Sequence, residues 1–205
     1  MGGPEYRSGC VMGSLEFPHE WRAEVLAGPP LIAPVRQFVY PMQVAGEEDA
    51  MARGALRVMV HPAGAGNGGG GNFLATCALG FADPRMPTGI FSCPNPREMC
   101  AVAGGYAYVI DTTAPDISTH ILVRPVAEVL VLVEHGLLVF VGFHAMVAWG
   151  REGLAWQTAR LSWEGIRVTS VEGDVLRGFG WNLMTDEEVG FSVDLRTGAH
   201  AGGGF

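Results

Sequence analysis

Residues 128–163 read EVLVLVEHGLLVFVGFHAMVAWGREGLAWQTARLSW, and this stretch decides the fold. Its apolar residues do not recur at a helical spacing. They fall into short runs divided by Glu134-His135-Gly136 and by Gly150-Arg151-Glu152-Gly153, which are polar, glycine-containing turns. Apolar runs divided this way are β-strands joined by hairpins. The run 129–133 is apolar at successive positions, as in a strand covered on both faces. Residues 137–149 return from the first turn, and 154–163 return from the second.

The same grammar continues downstream. Strands are expected over 166–171, 175–181 and 189–195, with turns at Glu172-Gly173-Asp174 and Arg196-Thr197-Gly198. Turn residues about every 8 to 12 positions mark an antiparallel all-β fold. Upstream, Gly104-Gly105 folds 101–111 into a hairpin with Tyr106, Tyr108 and Ile110 on one face, and 73–81, 55–61 and 36–44 read as further strands. Between the strands expected over 55–61 and 73–81 lies HPAGAGNGGGGN (61–72). It lacks the Lys and Ser/Thr of a phosphate-binding loop and reads as a connector.

Glycine and proline interrupt residues 1–35 every few positions, so this segment reads as an irregular arm. Its single helical turn is expected at 19–26, where Trp21, Val25 and Leu26 share a face. Residues 36–205 then form one all-β domain: an antiparallel meander of about ten strands, arranged as a propeller-like array, a sandwich or a roll.

Three segments carry a resemblance. SCPNPREMCAVAGGYAYVIDTTAP (92–115), LLVFVGFHAMVAWGREGLAWQTARLSWEGIRV (137–168) and VEGDVLRGFGW (171–181) resemble a group of functionally uncharacterised bacterial β-rich proteins, over roughly residues 85–198. The strand-then-turn units AYVIDTTAP, AMVAWGREG and FSVDLRTG are similar to single β-propeller blades. The resemblance implies a fold and carries no catalytic signature.

Composition narrows the function. A formal net charge of -8 opposes attraction to a phosphate backbone, so no nucleic-acid partner is expected. No apolar run reaches the roughly 20 residues of a membrane helix, and the first residues lack the pattern of a secretory signal. A cytoplasmic location and no membrane partner are the expectations. All 13 basic residues are arginine, which removes lysine-based covalent catalysis. In a reducing compartment Cys10, Cys77, Cys93 and Cys100 are expected as free thiols.

Six histidines and four cysteines show none of the H-x-H, H-E-x-x-H or C-x-x-C spacings of a zinc centre, and neither metal nor cofactor is expected. The catalytic candidates are His144, which alternation places inward with Leu138, Phe140 and Met146; His135, in the first central turn beside Glu134; and Cys100, a nucleophile if Arg97 lowers a nearby thiol pKa. The binding candidates are Trp156, Arg160 and Arg151. Alternation puts Trp156 and Arg160 on one exposed face, where ring and guanidinium can stack on a ligand.

These signals point to a non-catalytic intracellular β-module that binds a protein partner or assembles into a homo-oligomer. The alternatives are a hydrolase with its pocket near His144 and a small-ligand or carbohydrate-binding protein using Trp156.

Overall fold

The computed structural model describes residues 16–41, 50–64 and 71–204. Among them are sixteen β-strands, two short 3-10 turns and no α-helix. The strands form four sheets of four. The first contains β1 (Trp21–Leu26), β2 (Arg36–Tyr40), β3 (Ala55–Pro62) and β4 (Phe73–Ala78), in the order β1-β3-β4-β2. The second contains β5 (Gly89–Ser92), β6 (Glu98–Ala103), β7 (Tyr106–Asp111) and β8 (Ser118–His120). The third contains β9 (Val126–Leu132), β10 (Leu137–Gly142), β11 (Met146–Gly150) and β12 (Gly153–Gln157). The fourth contains β13 (Ile166–Glu172), β14 (Val175–Asn182), β15 (Glu187–Asp194) and β16 (His200–Gly202). The last three are antiparallel meanders in chain order, and none of the four closes into a barrel.

Strand alternation explains the packing. On β10, Leu138 and Phe140 face the second sheet, whereas Leu137, Val139 and Val141 face the fourth. Both faces are therefore covered, which is why LLVFV is continuously apolar. β6 does the same one sheet earlier: Met99, Ala101 and Ala103 pack on the first sheet, and Cys100 and Val102 on the third. Three successive hydrophobic clusters thus join the first sheet to the second, the second to the third, and the third to the fourth. The outer face of the fourth sheet is polar by contrast. There Arg167 lies 4.7 Å over the Phe179 ring and reaches Glu188 at 2.7 Å.

Polar side chains bolt neighbouring sheets together across these clusters. Trp21 Nε1 donates to the Glu98 carbonyl (3.0 Å) and Tyr108 Oη to the Ala78 carbonyl (2.9 Å), joining the first and second sheets. Trp149 Nε1 donates to Glu98 Oε2 (2.7 Å), joining the third to the second. Trp156 Nε1 donates to the Leu195 carbonyl (2.6 Å), joining the third to the fourth. Each such bond contributes about 1 kcal/mol net, and leaving its donor unpaired in the interior costs more.

Several expectations need correction. Among the described residues there are sixteen strands rather than about ten: 137–149 contains an unmarked turn, and β1, β5, β8 and β16 lie outside the apolar runs expected as strands. β2 pairs with β4 in parallel, so the fold is not wholly antiparallel. Residues 21–26, expected as a helical turn within an irregular arm, form β1, an edge strand paired with β3. Backbone pairing and burial of Trp21 prevail there over a weakly amphipathic pattern. Residues 42–44 of the strand expected over 36–44, 65–70 of the glycine run, and Cys10 lie outside the described residues.

Candidate binding cleft

The turns at one end of the stack build a cleft of about 370 Å³, lined by Glu20, Asn95, Pro96, Arg97, Arg151 and Glu152. Three sheets contribute to it. Glu20 immediately precedes β1, Asn95-Pro96-Arg97 is the turn between β5 and β6, and Arg151-Glu152 is the turn between β11 and β12.

Backbone bonds fix this frame. Glu20 N–H donates to the Pro96 carbonyl (2.9 Å) and Ala63 N–H to the Glu20 carbonyl (2.6 Å), so the approach to β1 is tied to both the second sheet and β3. Asn95 closes its own turn. Its carbonyl accepts from Glu98 N–H (3.0 Å), and its side-chain oxygen accepts from Arg97 N–H (3.2 Å), the bond pattern of an Asx turn. Thr112 then clamps the Arg97 carbonyl with both its N–H (2.8 Å) and its hydroxyl (2.7 Å). A turn held at this many points presents its side chains without a large ordering cost.

Glu98 stands behind the cleft as the first residue of β6. Burial raises its carboxyl pKa; the Trp149 hydrogen bond works against that, Asp111 adds to it, and Asn95 and Arg97 oppose it. Burial also works to raise Asp111, but hydrogen bonds from Thr113 and Ala114, with Arg97 nearby, outweigh it and lower that carboxyl. Two neighbouring acids are thus pushed apart by their surroundings.

A second cleft of about 430 Å³ lies between β1 and β5, lined by Glu16, His19, Trp21, Arg22, Ala23, Ile90 and Ser92. The His19 and Trp21 rings meet there, with centroids 4.4 Å apart. Trp21 has its indole N–H on Glu98, so one residue links the two depressions.

The sequence candidates separate in space. Arg151 lines the first cleft. His144 is not an inward strand residue. It lies exposed in the turn between β10 and β11, with Nδ1 3.2 Å from the Ser162 carbonyl. Gly142 ends the strand early, and 137–149 is a hairpin rather than one strand. His135 Nε2 donates to the Gly173 carbonyl (2.8 Å) and lies 3.7 Å from Asp174 Oδ1. It thereby latches the third sheet to the turn before β14.

Trp156 is a correction as well. A β-bulge between Ala148 and Trp149 resets the alternation along β12. The indole turns inward, is 6% exposed and packs among Leu161, Leu176 and Val193. Arg160 lies beyond the end of β12, 4.5 Å over the ring of Trp163, an exposed tryptophan. Cys100 is wholly buried; burial pushes its thiol pKa well up, and Cys77 and Glu98 push it further in the same direction. Such a thiol is not an activated nucleophile. Cys77, Cys93 and Cys100 are all free.

Sequence reasoning missed Glu20, Asn95 and Glu98. Their signal was positional, since each stands beside a strand terminus, but nothing in one sequence shows which termini share an end of the stack. The described residues contain no group of three or more His, Cys, Asp or Glu side chains placed to hold a metal. No described helix is long and apolar enough to cross a membrane.

Fold and cleft together define an all-β protein of stacked four-stranded sheets with a charged depression at one end. No protein-family model matches the chain, and no curated protein matches it.

Proposed function

We propose that this chain is a non-catalytic, propeller-like β-module that binds a protein partner at the end of the stack carrying Arg97 and Arg151. One observation carries this reading: three successive sheets each send charged side chains into one depression whose backbone is fixed by hydrogen bonds. Turns displayed by a rigid scaffold are the usual seat of binding. The groups suited to covalent chemistry are placed otherwise, with Cys93 and Cys100 sealed in the core and His135 holding two sheets together. Four successive four-stranded sheets, the last three of them meanders, support the propeller-like arrangement over a two-sheet sandwich. Leu31, Ile32 and Val35, each at least 90% exposed in the loop between β1 and β2, add apolar surface of the kind that associates.

The test is site-specific photo-crosslinking in the cells the protein comes from. A benzophenone amino acid at position 151 on the cleft rim is compared with one at Thr169, an exposed residue of β13. A discrete protein adduct at 151, absent at 169 and lost when Glu20 and Arg97 are replaced by alanine, is the expected result. The same adducts at both positions, or none at 151, would overturn the proposal.

A further inference from the structure

We infer that the cleft recognises a peptide segment carrying acidic and basic side chains next to each other. This rests on the protein-binding reading above and specifies the chemistry of the partner.

Its wall holds two guanidinium groups, Arg97 and Arg151, and two carboxylates, Glu20 and Glu152. Among the described residues, none of the four forms an ion pair within 4 Å, although other charged side chains do, such as Arg167 with Glu188 and Arg196 with Asp174. The cleft therefore presents both signs of charge with none of its four charged groups in a close pair, although Arg97 also feels the carboxyl groups of Glu98 and Asp111 behind it. The signs are also dealt out by sheet: negative from the approach to β1, positive from the β5–β6 turn, and one of each from the β11–β12 turn.

A ligand of one sign meets attraction from two of these groups and repulsion from the other two. An oligoanion is opposed further by the net charge of -8. A segment that alternates sign places its carboxylates on Arg97 and Arg151 and its cations on Glu20 and Glu152, so every close pair is favourable. Guanidinium groups take carboxylates through two parallel N–H bonds. Because the Asn95 turn and the Arg97 carbonyl are already clamped, binding orders only side chains.

The indoles supply a direct readout. Trp149 and Trp21 both donate to Glu98, immediately behind Arg97, whereas Trp156 donates to Leu195 in another seam. The protein labelled with 15N at tryptophan is titrated with an acetylated, amidated hexapeptide of alternating aspartate and arginine, with hexa-aspartate, hexa-arginine and sodium chloride as controls. A saturable shift of the Trp149 and Trp21 indole N–H signals, with Trp156 unmoved, is expected for the alternating peptide. The R97Q/R151Q and E20Q/E152Q variants should each weaken it about tenfold, as loss of two exposed charge pairs predicts. Equal or larger shifts from either single-sign peptide, shifts indifferent to both variants, or no saturable shift from the alternating peptide would overturn the inference. A position-151 adduct obtained alongside such a result would leave protein binding standing and remove only the charge-alternating partner.

Discussion

Trp149 and Trp21 come from different sheets and donate their indole N–H groups to the same residue, Glu98: one to its carboxylate at 2.7 Å, the other to its carbonyl at 3.0 Å. Three sheets therefore meet at one glutamate. Glu98→Gln keeps an acceptor for Trp149 while removing a carboxylate whose charged form is penalised by burial. Equilibrium urea unfolding at neutral pH should find E98Q at least as stable as the parent. Glu98→Ala strands the Trp149 donor and should lose about 1–3 kcal/mol.

The pH dependence has a definite sign. Burial first of all raises the Glu98 pKa in the folded state, so the folded chain holds this proton at a pH where the unfolded chain has released it. The resulting stabilisation is complete below the ordinary glutamate value and is lost as pH rises through the raised one. Asp111 is lowered and contributes in the opposite sense, so the useful quantity is the stability of the parent minus that of E98Q. This difference should fall with rising pH across that interval. A flat difference would show that Glu98 titrates normally.

Gly198 occupies a left-handed conformation (φ 72°) against the Trp156 side chain. A Cβ there would lie 2.8 Å from Trp156 Cβ and 2.9 Å from its ring, both inside van der Waals contact. Gly198→Ala therefore combines backbone strain with overpacking and should cost about 2 kcal/mol or more. Thermal unfolding followed by Trp156-dependent near-ultraviolet dichroism would register it.

The buried thiols should be chemically silent in the folded protein. Cys77, Cys93 and Cys100 are each 0% exposed, and burial is the main cause raising all three pKa values. In a Cys10→Ser variant, an aromatic disulfide reagent should release no thiolate at neutral pH until denaturant is added. A fast stoichiometric phase without denaturant would contradict the packing around β6.

His135 and His144 should respond differently to alanine substitution. His135→Ala removes the bond to Gly173 across the third and fourth sheets and should lower stability by about 1 kcal/mol. His144 stands exposed in its turn, and His144→Ala should stay within about 0.5 kcal/mol. Paired urea curves would separate the two.

The all-β class and the glycine-marked hairpins at 104–105, 134–136, 150–153 and 172–174 were legible, because each turn residue has a local conformational reason to be there. Face assignments were legible only as far as the first bulge. The extra residue on β12 reverses the direction of Trp156, and no local pattern announces it. The His144 turn was hidden because Phe143-His144-Ala145 contains none of the usual turn formers. WRAEVL became a strand because β3 lies beside it, a fact about residues more than 30 positions away. The cleft was legible only at Arg151-Glu152. Its other members belong to it through the stacking of three sheets, and stacking order is not written in any single segment.

Each hydrophobic cluster joins sheets that are neighbours along the chain, and this bears on how the protein is made. During synthesis, each sheet after the first emerges beside a partner whose docking face is already assembled, so its apolar surface has somewhere to go at once. The fourth sheet turns the face carrying Arg167, Phe179 and Glu188 away from the third. A chain halted after the third sheet would instead display Val139, Val141 and Met146 to solvent, a nascent surface for chaperones to recognise.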